Sequence, residues 1–219
     1  MSYTLHFDAV WDARADLLGA AGTTLELTVL SMVVGSAIAV PIALAKDEGK
    51  PGVRHLAATW VEVARNTPCL FQIYIFYFGL GAFGLHLSAY VSVLAALVFN
   101  NAGYMAEIIR GGLRAISPNQ KRAALSLGMS AAGAYAYVIL PQLFRVIFHP
   151  STNQLMWALL NSSLGMMIGL HELTGETAFQ QSMTFRPFEF YAVAAAGYYV
   201  MAKTIILTSR GIGARLFKY

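Results

Sequence analysis

The sequence predicts an all-α integral membrane protein of five transmembrane helices, with its N-terminus outside and its C-terminus inside. Three observations carry this: apolar runs long enough to cross a bilayer, scarce charge, and a one-sided distribution of lysine and arginine. Of 219 residues, 57% are apolar and 12% are charged, about half the charged share of a soluble domain. Mean hydropathy is +0.57. A spanning helix needs roughly 20 mostly apolar residues. Runs that satisfy this lie at about 22–45, 57–84, 88–109, 143–170 and 188–208, in what reads as one domain over 1–219.

Taken in order, the chain begins Met1-Ser2-Tyr3-Thr4, and Asp8, Asp12 and Asp16 precede the first run. A secretory leader begins basic and ends at a small-residue cleavage site, so no cleaved peptide is expected. The first run holds Glu26 at its outer edge and Pro41 inside, and its Gly35, Ser36 and Ala39 suit close helix packing. The second is broken in character around Asn66-Thr67-Pro68, and Glu62 and Arg65 have the spacing of a pair on one helix face. Its aromatics from Phe71 to Phe83, with Tyr198 and Tyr199, read as lipid-facing or packing residues. The third run carries Asn100, Asn101 and Glu107, with Arg110 three residues on from Glu107 as a second expected pair. Arg145 and His149 open the fourth run, and Asn161-Ser162-Ser163 lie deep inside it. Glu189 and Lys203 mark opposite ends of the fifth.

Orientation follows from the basic residues. One set of loops holds Lys46, Lys50 and Arg54, then Arg110, Arg114, Lys121 and Arg122, then Arg210, Arg215 and Lys218; the other side holds only Arg14 and Arg186. The positive-inside rule puts the first set in the cytoplasm. The loop of about 111–141 is then cytoplasmic. Within it Ser117 can cap a helix, Pro118 suits the first position and Gln120 has capping-box spacing. Ala123, Ala124, Leu125 and Leu127 favour a short amphipathic helix that Gly128 can end. Such a helix can dock into a partner's groove, or rest on the membrane interface.

Arg122-Ala123-Ala124, Gly128, Val138, Leu140 and Pro141 resemble the glutamate-alanine-alanine loop of ABC importer permeases. Arg65-Asn66-Thr67-Pro68, the stretch from Ala102 to Gly112, Asn153-Gln154, Ser163-Leu164, Ile168-Gly169, Glu172-Leu173 and Thr184-Phe185-Arg186-Pro187-Phe188 are similar to segments of the polar amino acid permease subfamily (histidine, glutamine or arginine type), in the same order. The resemblance runs from about Gly22 to Arg210. It implies that Ser117, Gln120, Arg122, Ala123, Ala124 and Gly128 belong to a coupling helix that sits in a separate ATPase subunit. It also implies a dimer of that ATPase, which binds ATP and Mg, a second permease (identical or related), an extracytoplasmic solute-binding protein, and residence in the bacterial inner membrane among its lipids. This chain would itself hold no cofactor. Two departures stand out: Arg122 replaces the motif's glutamate, and Leu160-Asn161 stands where many relatives carry lysine–aspartate.

Polar groups inside a span usually face a wet cavity or a neighbouring helix. Asn100, Asn101, Asn161, Ser162 and Ser163 are therefore candidates for the substrate pathway, with interhelical hydrogen bonding as the competing role. Other chemistries find little support. A lone Cys69 excludes an internal disulfide or multi-cysteine metal site, and no phosphate-cradling glycine loop or HExxH motif is present. No polar basic face suits nucleic acid. An intramembrane protease would need Ser162 or Ser163 to meet His171, yet no glycine-rich elbow surrounds either serine. A secondary transporter without an ATPase usually shows internal repeats, and none is evident between the halves; it has no need of the capped loop helix. With a short tail after the last run, no fused binding-protein or ATPase domain is expected.

Overall fold

The computed structural model describes residues 3–217; Met1, Ser2, Lys218 and Tyr219, which entered the reading above, lie outside them. The chain is all-α, with no strand among the described residues. A short α1 (Asp8–Asp12) leads into α2 (Arg14–Glu48), followed by α3 (Pro51–Asn66) and α4 (Cys69–Tyr74). A π turn (Ile75–Gly79) and a 3₁₀ turn (Leu80–Phe83) extend α4 towards α5 (Ala89–Ala115). Then come α6 (Pro118–Ser126), α7 (Ala131–Ala134), a second π turn (Tyr135–Ile139) and α8 (Leu140–Asn161). A 3₁₀ stretch (Ser162–Ile168), α9 (Leu173–Thr184) and α10 (Pro187–Leu216) complete it.

Among the described residues, four stretches are long and apolar enough to cross a membrane: Arg14–Asp47, Ala89–Ala115, Ala131–Ile168 and Pro187–Leu216. The second expected run is instead two helices. Pro68 lacks a backbone N–H and biases the residue before it to extended backbone; Thr67 adopts φ −101, ψ 138 and α3 stops at Asn66. A broken helix at membrane depth is tolerated where its freed backbone groups find partners inside the protein. Gln72 supplies them, donating from Nε2 to the Ala64 carbonyl at 2.9 Å and the Thr67 carbonyl at 3.2 Å. Of the two pieces, Cys69–Phe83 is apolar but short, and α3 is amphipathic.

A second difference concerns the loop of 111–141. Its last third is helical, because Ser130 caps α7 by accepting from Gly133 N at 3.1 Å and the helix runs on into α8. Pro141 does not break it. The π turn just ahead widens the helix, with Leu140 N donating to the Tyr135 carbonyl, the kind of insertion that accommodates a local irregularity.

The long helices pack through small residues. A Cβ on Gly35 of α2 would lie 2.8 Å from Asn101 Cβ of α5, so the two backbones approach as closely as glycine allows. Ala39 and Ala43 of α2 continue this seam with Met105, Ala106 and Ile109 of α5 and Val61 of α3. At the other end of α2, Val10, Ala13 and Leu17 bury against Leu159, Leu173 and Phe190. The bundle thus has two distinct ends. One carries α6 and the ends of α2 and α5; the other carries α1, α9 and the start of α10.

Candidate coupling helix and polar core

α6 is a nine-residue helix standing off the bundle. Ser117 Oγ accepts from Asn119 N at 3.4 Å, and Gln120 N reaches the Ser117 carbonyl at 3.0 Å. Ser117 is therefore the cap, but Gln120 does not complete a capping box: its side chain is exposed and makes no hydrogen bond among the described residues. The helix ends at Gly128, whose φ of +84 is open to glycine at little cost. Gly128 N donates to Leu125 O at 3.0 Å and Met129 N to Ala124 O at 3.2 Å, the Schellman pattern. Ala124 alone of the helix is buried; Arg122, Ala123 and Leu125 are exposed, and Leu127 beyond them is 84% exposed. On the inner side Lys121 Nζ meets Tyr135 Oη at 3.1 Å and lies 4.5 Å over its ring, which ties α6 to the π turn. The result is a rigid, capped helix joined directly to α5 through Ile116 and to α8 through the π turn, with an apolar and basic face outward.

Beside α6, three cations from three helices converge on one acid. Glu107 of α5 accepts from Lys46 of α2 at 2.8 Å and from Arg110, and Arg65 of α3 lies 3.9 Å away. Asp47 pairs with Arg114 at 2.7 Å one turn further along. The expected Glu107–Arg110 pair is present. The expected Glu62–Arg65 pair is not: Ala64 packs against α5, which aims Arg65 over the Tyr104 ring at 5.0 Å and towards Glu107. Glu62 is left exposed, with no ion pair among the described residues. The contact from a distant helix overrides the local i,i+3 spacing.

The five polar candidates fall into two groups. Asn100 is buried and donates to Ala64 O at 3.0 Å and to Gln72 Oε1 at 3.3 Å, with its own Oδ1 unmatched. Asn101, also buried, donates to Ser31 Oγ at 3.1 Å and accepts from Gln154 Nε2 at 2.7 Å. Both tie helices together. Ser162 and Ser163 hydroxyls turn back to the carbonyls of Leu159 and Leu160 at 2.8 and 2.7 Å. Neither meets His171, whose Nδ1 is 2.7 Å from Glu176. Asn161 is half-buried and donates to its own helix at Trp157 O, which leaves its carbonyl oxygen without a protein partner among the described residues.

Two buried carboxylates at the opposite end were not given roles from sequence. Glu172 accepts from Tyr198 Oη at 2.7 Å, Thr174 N at 3.1 Å, Gly175 N at 2.9 Å and Thr24 Oγ1 at 3.3 Å. It caps α9 and binds α2 and α10 to it. Glu189, at the start of α10, accepts from Tyr3 Oη and from His6 N at 2.9 Å, with Arg186 at 3.6 Å. Its carboxylate pushes the Tyr3 phenol above its usual range, because the hydrogen bond is to the protonated tyrosine. An acid just before Leu173-Thr174-Gly175 was a readable cap signal for Glu172; its bonds to Thr24 and Tyr198 depend on tertiary packing. Among the described residues no group of three or more metal-ligating side chains gathers.

Residues 27–214 match the family described as binding-protein-dependent transport system inner membrane component. An octopine transport system permease protein of Rhizobium meliloti is 36% identical over 217 residues, 95% of this chain and 85% of its own length. A glutamine transport system permease protein of Escherichia coli is 30% identical over 97% of this chain and 99% of its own. A crystal structure of an amino acid ABC transporter with histidines superposes with a TM-score of 0.89 at 35% identity, covering 97% of this chain and all of that one. An inward-facing MetNI methionine ABC transporter has a TM-score of 0.78 at 16% identity, over 92% and 96% of the two chains, a likeness of fold alone. With its capped helix between α5 and α8 and a match over most of its length, the chain belongs to the binding-protein-dependent transport system inner membrane component family and is a permease component.

Proposed function

We propose that the chain is the permease subunit of an ATP-driven amino acid importer in the bacterial inner membrane. It crosses five times, the second crossing being the broken α3–α4 pair, with α6 in the cytoplasm. Two such subunits, identical or related, enclose the pathway; an extracytoplasmic binding protein delivers substrate and a separate ATPase dimer receives α6. The observation that carries this is α6 itself: capped at both ends, held to α5 and the π turn, and presenting Arg122, Ala123, Leu125 and Leu127 outward. ATP binding shifts the permease between states only through a difference in affinity for them. A capped helix linked by short connections to two spans can transmit such a difference. The permease performs no covalent chemistry.

For the solute, Asn161 is the pathway contact we favour among the polar candidates, because its carbonyl oxygen is unpartnered. Asn100 and Asn101 shape the wall, and Ser162 and Ser163 set the 3₁₀ turn beside it. With Leu160-Asn161 and no acid there, this subunit suits a zwitterionic amino acid without a cationic side chain, since an amide binds polar groups without the desolvation cost of a buried charge. The test is ATP-dependent uptake into vesicles holding the permease with its ATPase and binding protein. Glutamine should outcompete arginine, and Asn161→Asp should move the preference towards arginine. Equal uptake without ATP would end the importer reading.

A further inference from the structure

A line of side chains from three helices connects the favoured solute contact to the acid at the α6 end. Asn161 donates to the Trp157 carbonyl one turn earlier in α8. The Trp157 ring lies 6.1 Å from that of Tyr104 of α5, tilted by 35°. Both residues are half-buried rather than enclosed. The guanidinium of Arg65, at the end of α3, lies 5.0 Å over the Tyr104 ring, and the Tyr104 hydroxyl donates to the Arg65 carbonyl at 3.3 Å. Beyond Arg65 stands Glu107, 3.9 Å away.

Arg65 is the odd member of the cluster around Glu107. Lys46 and Arg110 already donate to both oxygens of that carboxylate. Arg65 approaches it only at 3.9 Å, beyond hydrogen-bond length, and its guanidinium makes no hydrogen bond among the described residues. Three cations around one acid leave an excess of positive charge, and Arg65 is the most exposed of the three, its side chain 39% open. Its stem is nevertheless held. A Cβ on Gly103 of α5 would lie 2.7 Å from Ala64 Cβ and 3.3 Å from Arg65 Cγ, so glycine there lets the stem lie directly on α5. A fixed stem with uncommitted N–H donors is preorganised for a carboxylate, which the planar guanidinium takes with two parallel bonds. A charged side chain inside a span commonly marks the path of a charged group.

We infer that Arg65 binds the solute's α-carboxylate at a second station inward of Asn161. Between the two, the faces of Tyr104 and Trp157 offer the α-ammonium a cation–π surface. The inference rests on the importer reading proposed above and extends it from the solute's side chain to its backbone groups. When the carboxylate takes Arg65, Glu107 keeps Lys46 and Arg110, so the exchange strands no charge. Occupancy of this station therefore draws α3 out of the ion cluster beside α6, which ties the solute to the elements that carry the coupling helix.

The experiment measures binding of L-glutamine and of L-glutaminamide, its neutral α-amide, to the purified permease–ATPase complex in nanodiscs without binding protein. Saturation-transfer NMR titration gives both affinities. The two compounds share a side chain and an ammonium and differ in the charge of the α-carboxyl group. The wild-type complex should bind glutamine about tenfold tighter than the amide, the size of one charge-assisted hydrogen bond. Arg65→Gln should lose about that factor for glutamine and bind the two compounds alike. Arg65→Lys should fall between, keeping the charge without the fork. Glu107→Gln should tighten glutamine binding by up to about fivefold, because Arg65 is then released from its acid. A purely structural Arg65 gives another pattern: Arg65→Gln and Glu107→Gln would both weaken both compounds together. That pattern overturns the proposal, as does a preference for glutamine that survives Arg65→Gln or a wild-type complex that does not distinguish the two. If Arg65→Gln yields no folded complex, Arg65→Lys and Glu107→Gln decide by the same ratio. ATP-dependent glutamine uptake by the wild-type complex with its binding protein is read separately. Uptake without any carboxylate preference in the permease removes the site and leaves the importer reading; no uptake removes both.

Discussion

The two ends of the bundle are held by different kinds of electrostatics. At the α9 end, Glu172 is wholly buried and takes four hydrogen bonds from α2, α9 and α10. At the α6 end, Glu107 is shared among Lys46, Arg65 and Arg110, with the Arg114–Asp47 pair alongside on side chains that are 62% and 28% exposed. An ion pair open to solvent is worth about 0–1 kcal/mol, and Glu107, 17% exposed, has three cations around it, so one can replace another without leaving the acid unpaired. A buried acceptor cannot lose its donors without leaving them unsatisfied. One end is a weld and the other a joint that can be remade. On the importer reading proposed above, the contrast puts the pivot near Glu172, with the helices separating or sliding near Glu107.

The largest expected effect breaks the weld. Glu172→Ala leaves the Tyr198 hydroxyl with Thr174 Oγ1 and the Thr24 hydroxyl with the Ala20 carbonyl, but strands the backbone N–H groups of Thr174 and Gly175, and should cost on the order of 3 kcal/mol. Thermal unfolding in detergent should show a marked fall in midpoint, with Glu172→Gln intermediate. Next, Gly128→Val forces a branched residue to φ +84, about 1–3 kcal/mol of local strain. The bundle should keep its midpoint while ATP-dependent uptake is lost, since only the end of α6 is disturbed. Gln154→Leu removes one bond to Asn101 and should cost about 0.6–2 kcal/mol, read from the same melting curves. The smallest effect belongs to the joint. Glu107→Gln should change stability by about 1 kcal/mol or less, yet alter the ratio of ATP hydrolysed to solute moved. A large fall in midpoint from Glu107→Gln, as severe as that from Glu172→Ala, would erase the distinction between the two ends.

Much of this was legible in sequence because it depends on local rules. Apolar runs, the Thr67-Pro68 break, the Ser117 cap and the Gly128 stop each follow from residues within a turn or two. What escaped depends on distance. The i,i+3 spacing of Glu62 and Arg65 was a sound local signal, but Glu107, more than forty residues away in sequence, draws Arg65 instead. The loop bound at Pro141 came from where the next apolar run begins; the π turn before it could not be seen from composition. Asn100 and Asn101 looked like pathway residues from polarity and depth, while their partners Ala64, Gln72, Ser31 and Gln154 come from four other elements.

The most direct test of a welded end and a moving end is a pair of spin-label distances in the permease–ATPase complex, with and without a non-hydrolysable ATP analogue. Leu18 and Met183 are exposed at the α9 end, and Leu127 is exposed beside α6. The Leu18–Met183 distance should stay constant while Leu127–Met183 shifts by several ångströms, roughly the scale of helix displacements in such transitions. A constant Leu127–Met183 distance with a changing Leu18–Met183 distance would contradict the coupling role of α6 and the placement of the pivot.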